Sequence, residues 1–172
     1  QRYLFYTVSE SINRDLPVEL ALLPFIESQF DPYAQSSTGA SGIWQFILST
    51  AREQKLKKNW WYDGRRDIVA STGAAYDYLT KLHSKYDDWL LAIAAYNAGP
   101  NRISKEIKKN LAKGLPTDFW SLNLPKETKA YVPKLLALVE VIKNPSKFSV
   151  DIPFLPNRPY FQLVTLPSQV DL

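Results

Sequence analysis

Glu27 ends a run of six apolar residues, Ala21-Leu22-Leu23-Pro24-Phe25-Ile26, and Ser28-Gln29-Phe30 and then Asp31-Pro32 follow it. A helix end this apolar is expected to be buried, and burial penalises the charged form of a carboxyl group. The chemistry to expect is a glutamic acid with a pKa of roughly 6–7, which holds its proton near neutral pH and gives it to a leaving group. The plain alternative is a structural carboxylate, at a surface edge or in a buried ion pair.

Three further stretches carry polar groups suited to a binding site. In Ser36-Ser37-Thr38-Gly39-Ala40-Ser41-Gly42-Ile43-Trp44-Gln45-Phe46 the glycines let backbone come close to a ligand, and Gln45 offers a donor and an acceptor. Ala94-Ala95-Tyr96-Asn97-Ala98-Gly99 puts a phenol and an amide at the C-terminal end of an apolar helix. Leu124-Pro125-Lys126-Glu127-Thr128-Lys129-Ala130-Tyr131 opens the last long helix. Singly, such segments are ordinary cap and turn chemistry. Asp31, Asp63, Asp67, Asp77, Asp87 and Asp88 all lack the apolar approach of Glu27, and Asp67 and Asp88 read better as caps. His83 is the lone histidine in a chain without cysteine, so neither a metal site nor a cofactor is expected. No histidine follows Ser28 to activate it as a nucleophile.

Taken together and in this order, the four stretches resemble the family 1 lytic transglycosylases, over about residues 15–145. Within that family the chain looks most like the membrane-bound lytic murein transglycosylase D group. Gly42-Ile43-Trp44-Gln45-Phe46 stands where most relatives carry Gly-Leu-Met-Gln, and Trp61-Tyr62-Asp63-Gly64-Arg65-Arg66-Asp67 and the Leu-Pro-Lys-Glu-Thr segment before Tyr131 point the same way. The resemblance implies an all-α, goose-type lysozyme-like fold with a short extended or strand-like C-terminal tail. It implies Glu27 as the catalytic acid/base, with Ser36, Gln45, Tyr96, Asn97 and Tyr131 in the substrate cleft. Trp44 in place of Met is expected to alter the shape of that cleft. The substrate implied is peptidoglycan, cut between N-acetylmuramic acid and N-acetylglucosamine to leave a 1,6-anhydro sugar. It also implies a monomer in the bacterial envelope, in the periplasm, with a membrane anchor and glycan-binding repeats as options outside this stretch. Two rival readings stay open: a hydrolytic muramidase on the same scaffold, and a non-catalytic glycan-binding module.

The whole composition agrees with a single folded domain. A chain of 172 residues can bury roughly 70% of its unfolded surface. It begins at Gln1 and has no methionine, which points to a processed or excised piece of a longer protein. No apolar run reaches the length of a membrane span. A net charge of +4, from 21 basic and 17 acidic residues, is too mild to suggest nucleic acid. Lys105, Lys108, Lys109 and Lys113 have the spacing of a solvated helix face. Five Trp and ten Tyr suit sugar binding as well as a core, because flat apolar rings stack on sugars and their polar tips hydrogen-bond.

The elements that must position these groups are eight helices. The first covers 2–14, with Leu4, Phe5, Val8 and Ile12 as its apolar stripe. Pro17 opens a second, with Asp15 as cap and Pro24 as a kink one turn before Glu27. A loop over 33–42 leads to a helix over 43–56, and the aromatic loop 59–66 is a candidate wall of the cleft. Asp67 caps a helix to Tyr86, Asp87 or Asp88 caps 89–97, and Gly99 ends it. Helices follow over 101–113, at a short turn capped by Asp118, and over 126–143, where Asn144-Pro145 stops the chain. The domain is read as 1–145. A Pro-rich tail, 146–172, follows as a strap or linker and carries a short strand over 160–164.

Overall fold

A computed structural model describes residues 2–164, and among them the chain is all-α. Its centre is α5 (Trp89–Ala98), buried from Leu91 through Ala95. A helix apolar on every side can only sit inside a bundle. It packs against α4 (Ile68–Tyr86), α6 (Pro100–Leu111) and α7 (Lys126–Lys143). Local capping sets these elements as expected. Asp67 accepts the Ala70 N–H at 2.9 Å and Asp88 the Leu91 N–H at 3.0 Å. Asp87 instead takes a left-handed conformation that closes α4. Gly99, at φ +85°, turns the chain from α5 directly into α6, whose first residue is Pro100.

Four expectations are corrected. The segment opened by Pro17 is not one kinked helix. It is a 3₁₀ turn over Val18–Leu22 followed by a new α-helix, α2 (Leu23–Ser28), with Pro24 in its first turn, where a missing N–H costs nothing. Asp15 does not cap it, but sits at φ +54° in the preceding turn. No helix starts at Ile43: α3 covers only Leu48–Glu53, because Gln45 at φ +48° breaks the path, buried Ile43 and Trp44 belong to a turn, and buried Phe46 bridges back to Ser41.

The third correction concerns α1 (Leu4–Asn13), which buries Thr7 and Ser11 fully, while of its apolar stripe only Leu4 packs on the core. Tyr76 donates to the Thr7 carbonyl at 2.7 Å, a close contact that small side chains permit. Leu4, Phe5, Val8 and Ile12 face a groove shared with Leu155, Pro156 and Tyr160 of the tail. Phe161 of the tail packs on Tyr3 and Tyr6. Of the tail, Leu155, Pro156, Tyr160 and Phe161 thus lie against α1 and Tyr3, and residues 165–172 lie outside the described residues. Fourth, no strand forms over 160–164. A lone strand has no neighbour to satisfy its backbone groups.

Candidate active site

Glu27 sits in the last turn of α2, and the way that helix ends fixes its place. Gln29 and Phe30 both take left-handed conformations, so their N–H groups turn back to the carbonyls of Phe25 and Pro24 at 3.0 and 3.1 Å. Phe30 is thereby driven into the core. Ser28 donates to the Ile43 carbonyl at 3.0 Å and ties α2 to the loop beside it. Leu23 and Pro24 are buried, but Phe25 is 42% exposed, so the apolar run supplies only part of the cover over the acid. The rest comes from α5 and α7.

All six residues expected in the site line one open cleft of about 670 Å³. Glu27 keeps part of its surface open to this cleft, with protein around its other sides. Tyr131, from α7, donates its phenolic hydrogen to Glu27 Oε1. Burial pushes the Glu27 carboxyl up to about 7; the Tyr131 hydrogen bond opposes this and the negative charge of Glu127 adds to it. Burial, with the nearby Glu27, holds the phenols of Tyr131 and Tyr96 well above their ordinary range, so both stay protonated donors.

The other residues divide between facing the cleft and shaping it. Tyr96 donates to the Trp44 carbonyl at 2.8 Å, joining α5 to the loop. Gln45 turns its amide N–H₂ to the carbonyls of Gly42 (2.8 Å) and Ala34 (3.3 Å). Ser36 shares a hydrogen bond with Thr38 at 2.9 Å and accepts the Ala40 N–H at 3.0 Å. Asn97 accepts from Thr128 at 2.9 Å and reaches Glu127 at 3.5 Å.

The Ser36–Phe46 loop is held from behind by Arg65. This guanidinium is 5% exposed, pairs with Asp63 at 2.7 Å and donates to the carbonyls of Gly39 (2.8 Å) and Phe46 (3.1 Å). Gly42, at φ +81°, lies so close to Arg65 that a Cβ there would meet its carbonyl oxygen at 1.8 Å. The close approach that Gly42 permits is therefore to backbone of the neighbouring loop, not to a ligand.

Two expectations about the cleft fail. Trp44 does not shape it: its side chain is fully buried, donates to Thr72 at 2.9 Å and meets Tyr76 edge-on. The Trp60-Trp61-Tyr62 loop is not its wall, since those residues line other grooves. Sequence reasoning also passed over Glu53 and Glu127, both in the cleft. Glu127 stood within a recognised segment, but its effect on Glu27 depends on the packing of α7 against α2. His83, outside the site, stacks on Trp89 at 4.1 Å between ring centres.

The family model of the transglycosylase SLT domain matches residues 7–117. The chain belongs to the transglycosylase SLT domain family. It is 47% identical over 171 residues to membrane-bound lytic murein transglycosylase D of Escherichia coli strain K12, covering 99% of this chain and 38% of that protein. It is also 40% identical to a putative tributyltin chloride resistance protein of Alteromonas sp. strain M-1, over 83% of this chain and 69% of that one. Among solved structures, an inactive Glu-to-Gln mutant of lytic transglycosylase Slt from Pseudomonas aeruginosa superposes with a TM-score of 0.60 at 28% identity. That match covers 84% of this chain and 24% of the other. The lysozyme-like helical fold expected from the motifs is the fold of this SLT domain. The chain thus spans well under half the length of its E. coli relative. No helix among the described residues is long and apolar enough to cross a membrane.

Proposed function

We propose that this SLT domain is a peptidoglycan lytic transglycosylase. It cuts the β-1,4 bond between N-acetylmuramic acid and N-acetylglucosamine and closes a 1,6-anhydro ring on the muramic sugar. The observation that carries this reading is a carboxyl poised near pH 7 in a polymer-sized open cleft, with a protonated phenol on one of its oxygens.

Protonated Glu27 gives its proton to the glycosidic oxygen as that bond breaks. The N-acetyl carbonyl of the sugar stabilises the positive anomeric carbon, as in substrate-assisted glycosidases. Glu27, now ionised and steadied by the Tyr131 hydrogen bond, takes the proton of the sugar's own 6-hydroxyl. That hydroxyl attacks within the same ring and outruns water because it is already in place. Atoms balance without a water molecule, and Glu27 ends protonated again. The cleft groups of Gln45, Asn97 and Ser36 bind the acetamido and hydroxyl groups of the strand. The family and its envelope-associated relatives support a periplasmic setting.

Glu127, in the same cleft, favours one second reading: a muramidase in which this carboxylate activates water. Mass spectrometry of muropeptides released from purified sacculi separates the two. Anhydro products, lighter by one water, are expected; hydrated reducing ends alone would overturn the transglycosylase reading. Glu27→Gln is expected to fold and to lose at least about a hundredfold in rate.

A further inference from the structure

Trp60 and Trp61 are 88% and 90% exposed, the least covered indoles of the described residues. Scattered exposed apolar residues are ordinary, but adjacent large ones mark a contact surface. The backbone that carries them is fixed. Asn59 Oδ1 accepts the N–H groups of both Trp61 and Tyr62 at 2.8 Å, and the Asn59 N–H donates to the Tyr62 carbonyl at 2.8 Å. Tyr62 donates to Asp67 at 2.9 Å, and the Gly64 N–H reaches the Lys57 carbonyl at 2.8 Å. The turn is fixed by bonds that use backbone and Tyr62, leaving both indole faces open.

The turn stands between two concave, mixed surfaces. On one side Trp60 walls a groove with Leu48, Arg52 and Leu56. On the other, Trp60, Trp61 and the 74%-exposed Tyr33 share a groove with Gln35 and Arg66. Flat aromatic faces beside amides and cations are the chemistry that recognises sugar rings: ring C–H faces stack, and hydroxyl and acetamido groups take the hydrogen bonds. Arg52 and Arg66 are exposed at the rims, where they match the carboxylates that end peptidoglycan stem peptides.

The first groove lies on the opposite side of α3 from the catalytic cleft. Ile47, Thr50 and Glu53 line the cleft, while Leu48, Ala51 and Arg52 line the Trp60 groove. One helix width, roughly 10 Å, separates them. A strand leaving the cleft needs only to pass over α3 to reach the indoles.

We propose that the Trp60–Trp61 turn is a second glycan-binding subsite, across α3 from the catalytic cleft, which stacks on sugar rings of the strand being cut. This rests on the glycan-cleaving reading above. Its effect is avidity: a polymer held at two places dissociates more slowly than one held at the cleft alone.

Co-sedimentation with purified sacculi tests it, with Glu27→Gln as parent and Glu27→Gln/Trp60→Ala/Trp61→Ala as variant. Loss of two stacking faces is expected to weaken binding roughly tenfold, with an unchanged melting temperature. Trp60→Phe/Trp61→Phe in the same parent is expected to recover part of the binding. With Glu27 intact, Trp60→Ala/Trp61→Ala is expected to slow release from sacculi while turning over a tetrasaccharide short enough for the cleft at the parent rate. Equal sedimentation of parent and variant overturns the proposal. So does flotation of the parent with phosphatidylglycerol vesicles, lost in the variant while sacculus binding stays, since the turn is then a membrane contact. Failure of the Glu27-intact chain to release anhydro sugar would count against the proposed activity instead, and the sedimentation result would still decide the subsite.

Discussion

Tyr131 donates to Glu27 from 104 positions further along the chain, and this hydrogen bond favours the ionised form of the acid. It lowers the affinity of Glu27 for its proton, whereas burial and Glu127 raise it. Burial is the larger influence and leaves the acid near 7, while α7 carries both polar groups that act on it in opposite directions, Tyr131 and Glu127.

Removing each influence should move the pH–rate profile in opposite directions. The general acid works only while protonated, so kcat/KM is expected to fall as pH rises through about 7. Glu127→Gln takes away a negative neighbour and should shift this falling limb to lower pH. Tyr131→Phe removes the bond that favours the carboxylate and should shift it to higher pH, with a loss of about 1 kcal/mol of binding or transition-state energy. Rate measurements between pH 5 and 9 check both, and parallel shifts would contradict the geometry.

Glu27 should also weaken the fold at alkaline pH. Its folded-state value, about 7, lies above the ordinary 4.5, so the folded protein binds the proton more tightly than the unfolded one. Stability contributed this way is full below the unfolded value and is lost as pH rises through the folded one, by roughly 3 kcal/mol. Glu27→Gln abolishes the dependence. Urea unfolding at pH 5 and pH 8 should show the parent losing stability between them and Glu27→Gln losing less.

Much of this was legible in the sequence. The Asp67 and Asp88 caps and the Gly99 break are local signals, and they place Tyr96 and Asn97. The order of the motifs brought Glu27, Gln45 and Tyr131 to one cleft. What was not legible depends on distant contacts. Ile43, Trp44 and Phe46 look helical, but their carbonyls are taken by Ser28, Tyr96 and Arg65, all from elsewhere in the chain, and Gln45 at φ +48° breaks the path. Phe5, Val8 and Ile12 of the α1 stripe face the tail rather than the core, which no periodicity could distinguish. Glu127 affects the acid only through helix packing, so its role left no mark on its neighbours in sequence.

Arg65 should prove indispensable to the cleft loop. Arg65→Met leaves Asp63 and two carbonyls without their buried partner. The expected cost is about 3–5 kcal/mol, read as a lower urea midpoint, with activity lost in proportion to loop order.

Gly42 and Gly39 have nearly the same φ, +81° and +82°, but different surroundings. Gly39→Ala meets open space and should cost only about 1–2 kcal/mol of left-handed strain. Gly42→Ala adds a collision with Arg65 backbone and should cost on the order of 4 kcal/mol or more. Thermal melts of the two variants compare them directly.

Tyr96 and Asn97 close a helix that has no outward face along its middle. The α5 side of the cleft is consequently an extension of the bundle's interior. Heat or urea should not displace Tyr96 and Asn97 while leaving the bundle folded, and resistance engineered into the interior should carry over to this side of the cleft.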